Sequence, residues 1–192
     1  MKVLSILGSP RKKGTSSRIA KSFTTVAEQN GAEVQEFYLN GMNYKGCQGC
    51  EKCHSKDDKC ILKDDLTPVL DGMREADIIV YSTPVYYLDV SGQFKTFLDR
   101  TWSHIDYQPE KTNPYISRLP EGKTVIFVVT QADVEENQRD VVERQQLLAD
   151  LYGYDFKVIR AAGLSMGSPD EDVSTFEAEA TKLAQELIPI NS

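Results

Sequence analysis

The stretch "KVLSILGSPRKKGTSS" (residues 2–17) decides the fold, because it reads as a strand, a polar loop and the start of a helix. Its apolar beginning predicts a buried strand. After the loop, Ile19, Phe23 and Val26 fall at i, i+4 and i+7, which gives one apolar helical face. Gly31 follows at a position that favours helix termination.

The same alternation of apolar run and helical pattern continues along the chain. A short helix is predicted from DDLTPVLDGM, where Asp64 or Asp65 can serve as the cap. Further helices are predicted through 91–102, up to a stop at Gly153, and finally through the residues around Ala180. Strands that alternate with helices predict right-handed crossovers and a parallel sheet covered on both faces. The predicted strands are 2–8, 33–39, 77–83, 123–130 and 155–163, with the second, more polar one at a sheet edge.

Composition limits the classes of protein. The 192 residues suit a single domain, 1–192, and 27% charged with 40% hydrophobic residues is typical of a soluble globular protein. A net charge of −7 argues against nucleic-acid binding, which requires neutralisation of phosphates. The start carries only a short apolar run, so we expect no membrane span, no export signal and a cytoplasmic location.

Ligands of open parallel sheets bind outside the carboxyl ends of the strands. The first loop to leave such an end opens a helix, whose N-terminal N–H groups attract anions. It lacks both G-x-G-x-x-G and G-x-x-x-x-G-K-[ST], so a single terminal phosphate fits better than a dinucleotide or a nucleoside triphosphate. A simple tight turn is the alternative interpretation. The predicted anion contacts are Ser9, Arg11, Thr15, Ser16 and Ser17.

A second loop, "TPVYYL", places Pro84, Val85, Tyr86 and Tyr87 at the end of the third predicted strand. Buried tyrosines commonly belong to the core, so these residues alone indicate little. Together with a phosphate loop they can form one wall for a flat ring system. A phosphate site with an aromatic slot describes flavin mononucleotide (FMN).

In this order and spacing, "GSPRKKGTSSRIA", "CQGCEKCHSKDDKCILKDDL" and "STPVYYLDVSGQFKTFLDR" resemble the flavodoxin-like NADPH-dependent FMN reductase family, and in particular its iron–sulfur flavoproteins. The resemblance implies a three-layer α/β sandwich with a five-stranded parallel sheet in order 2-1-3-4-5. It also implies FMN, NAD(P)H as electron donor, and a homodimer or homotetramer. The implied FMN contacts are the 9–17 loop together with Pro84, Val85, Tyr86, Tyr87, Leu88, Thr130, Gln131, Ala132 and Asp133.

All four cysteines lie in one loop, 46–61, as Cys47, Cys50, Cys53 and Cys60. This spacing suits a four-thiolate site of the kind that holds an iron–sulfur cluster. Iron–sulfur flavoproteins, which the loop resembles, carry a [4Fe–4S] cluster that passes electrons to FMN. Two separated C-x-x-C pairs, the usual zinc pattern, are absent from the sequence. A redox-active C-x-x-C thiol pair stays open as an alternative.

Other polar residues near these segments carry weaker predictions. His54 is interpreted as a solvent-facing histidine, with metal ligation as the alternative, and 56–59 as a solvated tip. The proline-containing segment 103–122 is predicted to be a long loop, either over the active site or on the surface. Trp102, His104 and Tyr107 line the ring or pack at a helix end.

The resulting hypothesis is a flavoprotein oxidoreductase that takes electrons from NAD(P)H or a reduced carrier and gives them to a small-molecule or protein acceptor. The chemistry belongs to the flavin, so no side chain is assigned as an acid or a base. Two alternatives remain: a non-enzymatic electron carrier of flavodoxin type, and a thiol-based redox sensor.

Overall fold

The computed structural model describes residues 1–55, 57–165, 168 and 171–190, and it shows an α/β protein built on one parallel sheet. Five strands pair in parallel in the order β2-β1-β3-β7-β8, and the short β4 pairs antiparallel with β3. The strands are β1 Lys2–Leu7, β2 Glu33–Tyr38, β3 Ile78–Tyr86, β4 Asp89–Val90, β5 Ile105–Tyr107, β6 Tyr115–Ser117, β7 Thr124–Thr130 and β8 Asp155–Ala161.

Helices cover both faces of the sheet. The α-helices are α1 Thr15–Gln29, α2 Lys52–Ser55, α3 Thr67–Glu75, α4 Gly92–Arg100, α5 Arg139–Tyr152 and α6 Ser174–Leu187, with short 3₁₀ turns at Leu39–Gly41 and Thr101–His104. Helices α1 and α6 pack on one face, and α3, α4 and α5 pack on the other. This is the three-layer arrangement that the sequence predicts, and the order of the five main strands is also the predicted one.

The central strands are buried on both sides, which explains their nearly continuous apolar sequences. In β1, Val3 and Leu7 face the α1 and α6 side, whereas Leu4 and Ile6 face the α3, α4 and α5 side. The more polar β2 lies at the sheet edge, as predicted. Across the described residues, no helix combines the length and apolar character needed to cross a membrane.

Two local predictions are wrong. The segment 103–122 is not a structureless loop, because β5 and β6 pair within it as an antiparallel hairpin. Neither Asp64 nor Asp65 is the N-cap residue of α3: Leu66 occupies that position and makes no side-chain capping bond, although the Asp64 carboxylate accepts the Leu66 N–H at 3.1 Å. The Asp64 carboxylate also binds Arg100, at Nη1–Oδ2 2.7 Å, a long-range partner that local sequence patterns do not reveal.

Candidate functional site

An open cleft of about 500 Å³ lies at the carboxyl ends of β1, β3 and β7. Parallel sheets bind ligands at this edge, next to the point where the strand order reverses, and here that point lies between β1 and β3. Nine of the fourteen predicted cofactor contacts line the cleft. These are Arg11, Thr15, Pro84, Val85, Tyr86, Tyr87, Thr130, Gln131 and Ala132.

One end of the cleft is the N-terminus of α1. Gly14 precedes the helix in an extended conformation, no side chain caps it, and its first turn carries no acidic residue. The leading N–H groups of the helix are therefore left for an external acceptor, and the helix dipole favours a negative one. Thr15 reaches from this turn to within 3.4 Å of the Thr130 hydroxyl, which joins the first and third loops.

The loop from β1 into α1 is fixed by its backbone. Gly8 donates its N–H to the Ser82 carbonyl at 2.7 Å and accepts the Ser91 hydroxyl at 2.6 Å. A Cβ on Gly8 would lie 2.7 Å from the Phe94 Cβ, which is closer than packed atoms approach. Only glycine therefore fits between the strand and α4, and this explains the G-S-P sequence where the strand ends.

The other five predicted contacts do not line the cleft. Ser9 is buried within the loop, where its hydroxyl accepts the Arg11 N–H at 3.1 Å, and Ser16 and Ser17 are buried in the first turn of α1. Leu88 and Asp133 are exposed. Two further residues line the cleft that sequence reasoning missed, Leu164 and Ser165. Both residues follow β8. The Ser165 hydroxyl after a fifth parallel strand could have indicated that this loop also reaches the cleft.

The turn between β3 and β4 forms the opposite wall and is conformationally strained. Tyr87 and Leu88 have φ values of 46° and 70°, a left-handed region that costs non-glycine residues about 1–2 kcal/mol each. Both side chains are exposed, Tyr87 completely. Strain of this kind is retained where the surrounding structure imposes it, often at binding sites.

The third loop, after β7, is organised by Gln131. Its amide donates to the Val134 carbonyl at 2.7 Å, and its Oε1 accepts two hydrogen bonds from Arg160 at 2.9 and 3.1 Å. Hydrogen bonds from Gln138, Val134 and Asn137 lower the pKa of Asp133. Its carboxylate therefore accepts hydrogen bonds from three residues of the same loop. The backbone at this end of the cleft is therefore held in place before any ligand arrives.

A second site lies on the other side of α4, where all four cysteines line one pocket. Their thiols are free of disulfides; Cys47 and Cys50 are exposed, and Cys53 and Cys60 are half-buried. Burial raises the pKa of the Cys53 thiol, and the neighbouring Cys60 and Glu51 raise it further. A thiolate at Cys53 is accordingly disfavoured without a bound cation.

Arg100 holds this cysteine loop against the domain. Its guanidinium is fully buried and donates to Cys60 Sγ at 3.1 Å, to the Lys45 carbonyl at 2.7 Å and to both Asp64 oxygens at 2.7 and 3.2 Å. Burial on its own would raise the pKa of Asp64, but hydrogen bonds from Arg100 and from the Lys45 and Leu66 backbone outweigh it and lower that pKa. The ion pair is therefore fully formed at neutral pH.

Four thiols are suitable ligands for an iron–sulfur cluster, but in this structure the four side chains are not arranged as a ligand set. Among residues 1–55, 57–165, 168 and 171–190, no group of three or more cysteine, histidine or acidic side chains has the geometry to hold a metal ion. The four cysteines thus share a pocket without forming a finished metal centre.

The remaining predicted residues gather beside the cysteines rather than at the cleft. His54 is not solvent-facing, because its side chain is 10% exposed and its ring lies 4.8 Å from that of Trp102. Trp102 also contacts Tyr107 and Tyr115 of the β5–β6 hairpin, and Arg118 of that segment donates to the Cys53 carbonyl at 2.7 Å. The hairpin therefore packs on the cysteine loop. Lys56, in the predicted tip, falls outside the described residues.

Helix α4 connects the two sites. Ser91, at its N-terminus, binds Gly8 of the first loop, and Arg100, at its C-terminus, binds Cys60. Nine helical residues rise about 13 Å. The two ends of α4 that contact the cleft and the cysteine pocket are therefore about that far apart on one rigid element.

A model of the NADPH-dependent FMN reductase family matches residues 1–171. The chain belongs to this family. An iron–sulfur flavoprotein of Archaeoglobus fulgidus is 37% identical over 100 residues, covering 52% of this chain and 45% of the relative. One from Methanocaldococcus jannaschii is 39% identical over 100 residues, covering 52% and 50%. The chain spans about half the length of the curated relatives it matches.

Solved structures of family-like enzymes share the fold. An FMN-dependent NADH-azoreductase from Bacillus anthracis, solved in complex with FMN, superimposes with a TM-score of 0.74 at 16% identity, covering 98% of this chain and 100% of the other. An NAD(P)H:quinone oxidoreductase from Methanothermobacter marburgensis gives 0.72 at 17% identity, covering 97% and 98%. At these identities the likeness shows the flavodoxin-like fold alone.

Proposed function

We propose that this member of the FMN reductase family binds FMN in the cleft and transfers electrons from NAD(P)H, or from a reduced carrier, to an acceptor. The observation that carries the proposal is the uncapped N-terminus of α1 at one end of a cleft whose other wall is Pro84–Tyr87. An anion site and an apolar wall at one strand edge match the two halves of FMN.

The phosphate end follows from the backbone. The N–H groups at the start of α1 point into the cleft end, and Thr15 adds a hydroxyl beside them. The buried Ser9 and Gly14 shape the loop: a Cβ at Gly14 would meet the Ser9 hydroxyl at 3.0 Å. A phosphate held there receives charge-assisted hydrogen bonds without reorganisation of the loop.

The ring end follows from the β3–β4 turn and the third loop. Pro84 and Val85 offer apolar surface, and Thr130, Gln131 and Ala132 line the facing edge, where the Thr130 hydroxyl is a polar group. A bound flavin would accept hydride from a nicotinamide and release electrons to an acceptor. The protein orients the ring and limits access of water to it.

A quinone is the acceptor class that the relatives suggest. The Methanothermobacter marburgensis structure is a quinone oxidoreductase, and a matching relative from Pseudomonas fluorescens is named an FMN-dependent NADH:quinone oxidoreductase, at 29% identity over 122 residues. We propose Cys47, Cys50, Cys53 and Cys60 as the ligands of a [4Fe–4S] cluster. This assignment rests on their spacing, their common pocket and the names of the matching relatives.

Oligomerisation belongs to the same proposal, as a homodimer or homotetramer. Tyr87 and Leu88 at the cleft, and Leu147 in a wide groove between α4 and α5, are exposed apolar side chains. Apolar side chains exposed at grooves are common at protein interfaces. Size-exclusion chromatography with light scattering tests this, and a monomer at micromolar concentration would disprove it.

The decisive experiment replaces Thr15 with glutamate. The new carboxylate stabilises the N-terminus of α1 but repels a phosphate at the same place, so the fold is kept while FMN affinity falls about tenfold or more. Riboflavin, which has no phosphate, should bind the variant and the parent protein alike. Thr25→Glu adds the same charge to α1 more than two turns away and should leave both affinities unchanged.

Fluorescence titration measures the affinities, and NADH or NADPH oxidation with a quinone tests turnover. FMN affinity that is insensitive to Thr15→Glu, or equally lowered by Thr25→Glu, would contradict the phosphate assignment. Failure of the parent protein to bind FMN would contradict the function itself. An FMN-loaded protein that exchanges electrons with a carrier but not with nicotinamide would be the electron carrier of the alternative hypothesis.

A further inference from the structure

A separate small pocket lies behind Cys60, on the side of the cysteine loop that faces α3. Its volume is about 70 Å³, and its walls come from α3, from the end of the cysteine loop and from the 3₁₀ turn that contains His104. A buried water needs about 10–15 Å³ of such space. The pocket therefore has room for several waters or for one small oxyanion.

Two side chains that line this pocket have buried polar atoms with unused hydrogen-bonding capacity. Within the described residues, neither ring nitrogen of His104 has a hydrogen-bond partner, and His104 is 1% exposed. The Nε of Arg74 is likewise buried and without a partner, although its terminal nitrogen donates to the Asp58 carbonyl. Unsatisfied buried groups are costly, and their convergence on one pocket indicates an occupant.

The charges around the pocket indicate the sign of that occupant. Lys59, Lys63 and Arg74 line it as cations, against one carboxylate, Asp71. Asp71 is engaged by Lys59 at 2.8 Å, and Arg74 lies 4.0 Å from the Asp58 carboxylate, whereas Lys63 forms no ion pair with any described residue. The pocket thus has an excess of positive charge and N–H donors, which is the environment of an anion site.

The state of His104 agrees with a donor role. Burial and, secondly, the nearby Arg74 lower the pKa of His104 to about 3, so its ring is neutral and presents one N–H. Arg74 Nε presents a second, permanently charged donor. Planar oxyanions such as nitrate, bicarbonate or a carboxylate accept donors of this type through adjacent oxygens.

We propose that this pocket is a binding site for a small oxyanion, held by Arg74 and His104 with Lys63 at the rim. The site is distinct from the FMN cleft, and it does not depend on whether flavin binds there. Because Cys60 forms one of its walls, a bound oxyanion would lie directly beside the four-cysteine loop.

Isothermal titration of the purified full-length protein with sodium nitrate tests the proposal. Ionic strength is held constant with sodium gluconate, whose anion is too bulky for a pocket of this size. We expect saturable binding of one nitrate per chain. Arg74→Met removes the charged donor and should weaken binding about tenfold or more. Lys182→Met removes one exposed positive charge on α6, across the sheet, and should have no effect.

Lys63→Met provides a second variant that does not threaten the fold, because Lys63 is exposed and unpaired among the described residues. It should weaken nitrate binding by about threefold, as expected for loss of one rim charge. Heats of dilution alone would mean that the pocket holds only water, and the proposal would be wrong. Equal nitrate affinity in the parent, Arg74→Met and Lys63→Met proteins would also overturn it, since binding would then lie elsewhere.

Discussion

The cleft in which we propose that FMN binds and the four-cysteine pocket contact opposite ends of α4, but they are built in different ways. The cleft is positioned by backbone: Gly8 bonds Ser82 of the neighbouring strand segment and Ser91 of α4. The cysteine loop contains little regular structure and is fixed mainly by one buried side chain, Arg100. A site positioned by strand ends should keep its geometry when one side chain is removed. A loop held mainly by one side chain should lose its geometry when that side chain is removed.

The largest effect is expected at Arg100. Arg100→Met keeps the apolar stem but leaves the Asp64 carboxylate and the Lys45 carbonyl without their donor. Breaking a buried ion pair from one side costs about 3–5 kcal/mol, which should appear as a lower free energy of unfolding in urea. The cysteine thiols should also react faster with a thiol reagent, because the loop is released.

Arg144 supplies the matched control for this prediction. It also forms two ion pairs, with Asp89 and Asp140, but its side chain is 44% exposed. Arg144→Met should change the free energy of unfolding by less than about 1 kcal/mol. If the two variants lose similar stability, Arg100 is not the main anchor of the loop.

Gly8→Ala tests the backbone-built site. The added Cβ would meet the Phe94 Cβ at 2.7 Å and the Ser82 carbonyl at 3.0 Å, and neither can move without shifting α4 or β3. Overpacking of this type costs about 1–3 kcal/mol. FMN affinity should fall with it, while thiol reactivity at the cysteine loop should rise much less than in Arg100→Met, since the Arg100 hydrogen bonds to that loop are kept.

Gly92→Ala is the companion substitution, because a Cβ at Gly92 meets no atom within 4 Å. In the first turn of α4 it should be neutral or slightly stabilising. Loss of FMN binding in both glycine variants would mean that α4 itself, rather than the close approach at Gly8, controls the cleft.

The sequence predicts the backbone-built half of the molecule well, and the reason is physical. Apolar runs with glycine and hydroxyl residues at their ends record strand burial and loop geometry locally, so the five main strands and most of the cleft were predictable, whereas the strand order was implied by the family resemblance. Leu164 was missed because an apolar residue after the last strand has no distinctive pattern. The 3₁₀ and hairpin structure around Tyr107 was missed for the same reason.

The cysteine half was much less predictable, because its anchors are long-range pairs. Asp64 reads as a helix cap, and Arg100 reads as an ordinary charge at a helix C-terminus, yet the two residues bind each other in the interior. His54 and His104 read as polar residues of a loop, whereas both are largely buried. Pairings of this kind depend on how loops fold back on the domain, which residue spacing does not encode.

The pH dependence of stability should distinguish the cysteine side further. Burial and then Arg74 lower the pKa of His104 to about 3, with Asp71 opposing and Arg118 and Lys59 contributing. The unfolded chain takes up this proton near pH 6.5, so stability is complete above that pH and is lost as pH falls towards 3. The loss approaches about 1.4 kcal/mol per pH unit.

Urea unfolding at pH 7, 6 and 5 measures that slope. His104→Gln removes the titrating group and should flatten the curve, although it lowers stability at neutral pH. The same slope in His104→Gln and the parent protein would assign the acid sensitivity to other groups.

The smallest expected effect on stability tests whether the backbone strain at the cleft contributes to ligand binding. Leu88 holds a φ of 70°, and Leu88→Gly should raise the free energy of unfolding by about 0.5–1 kcal/mol, since glycine adopts this region without penalty. Gly153→Ala is the mirror experiment, because Gly153 ends α5 at a φ of 71° and the added Cβ meets no neighbour within 4 Å. It should destabilise by about 1 kcal/mol. If Leu88→Gly gains stability but weakens FMN binding, the strained turn is retained for the ligand; if FMN affinity is unchanged, the strain has no part in binding.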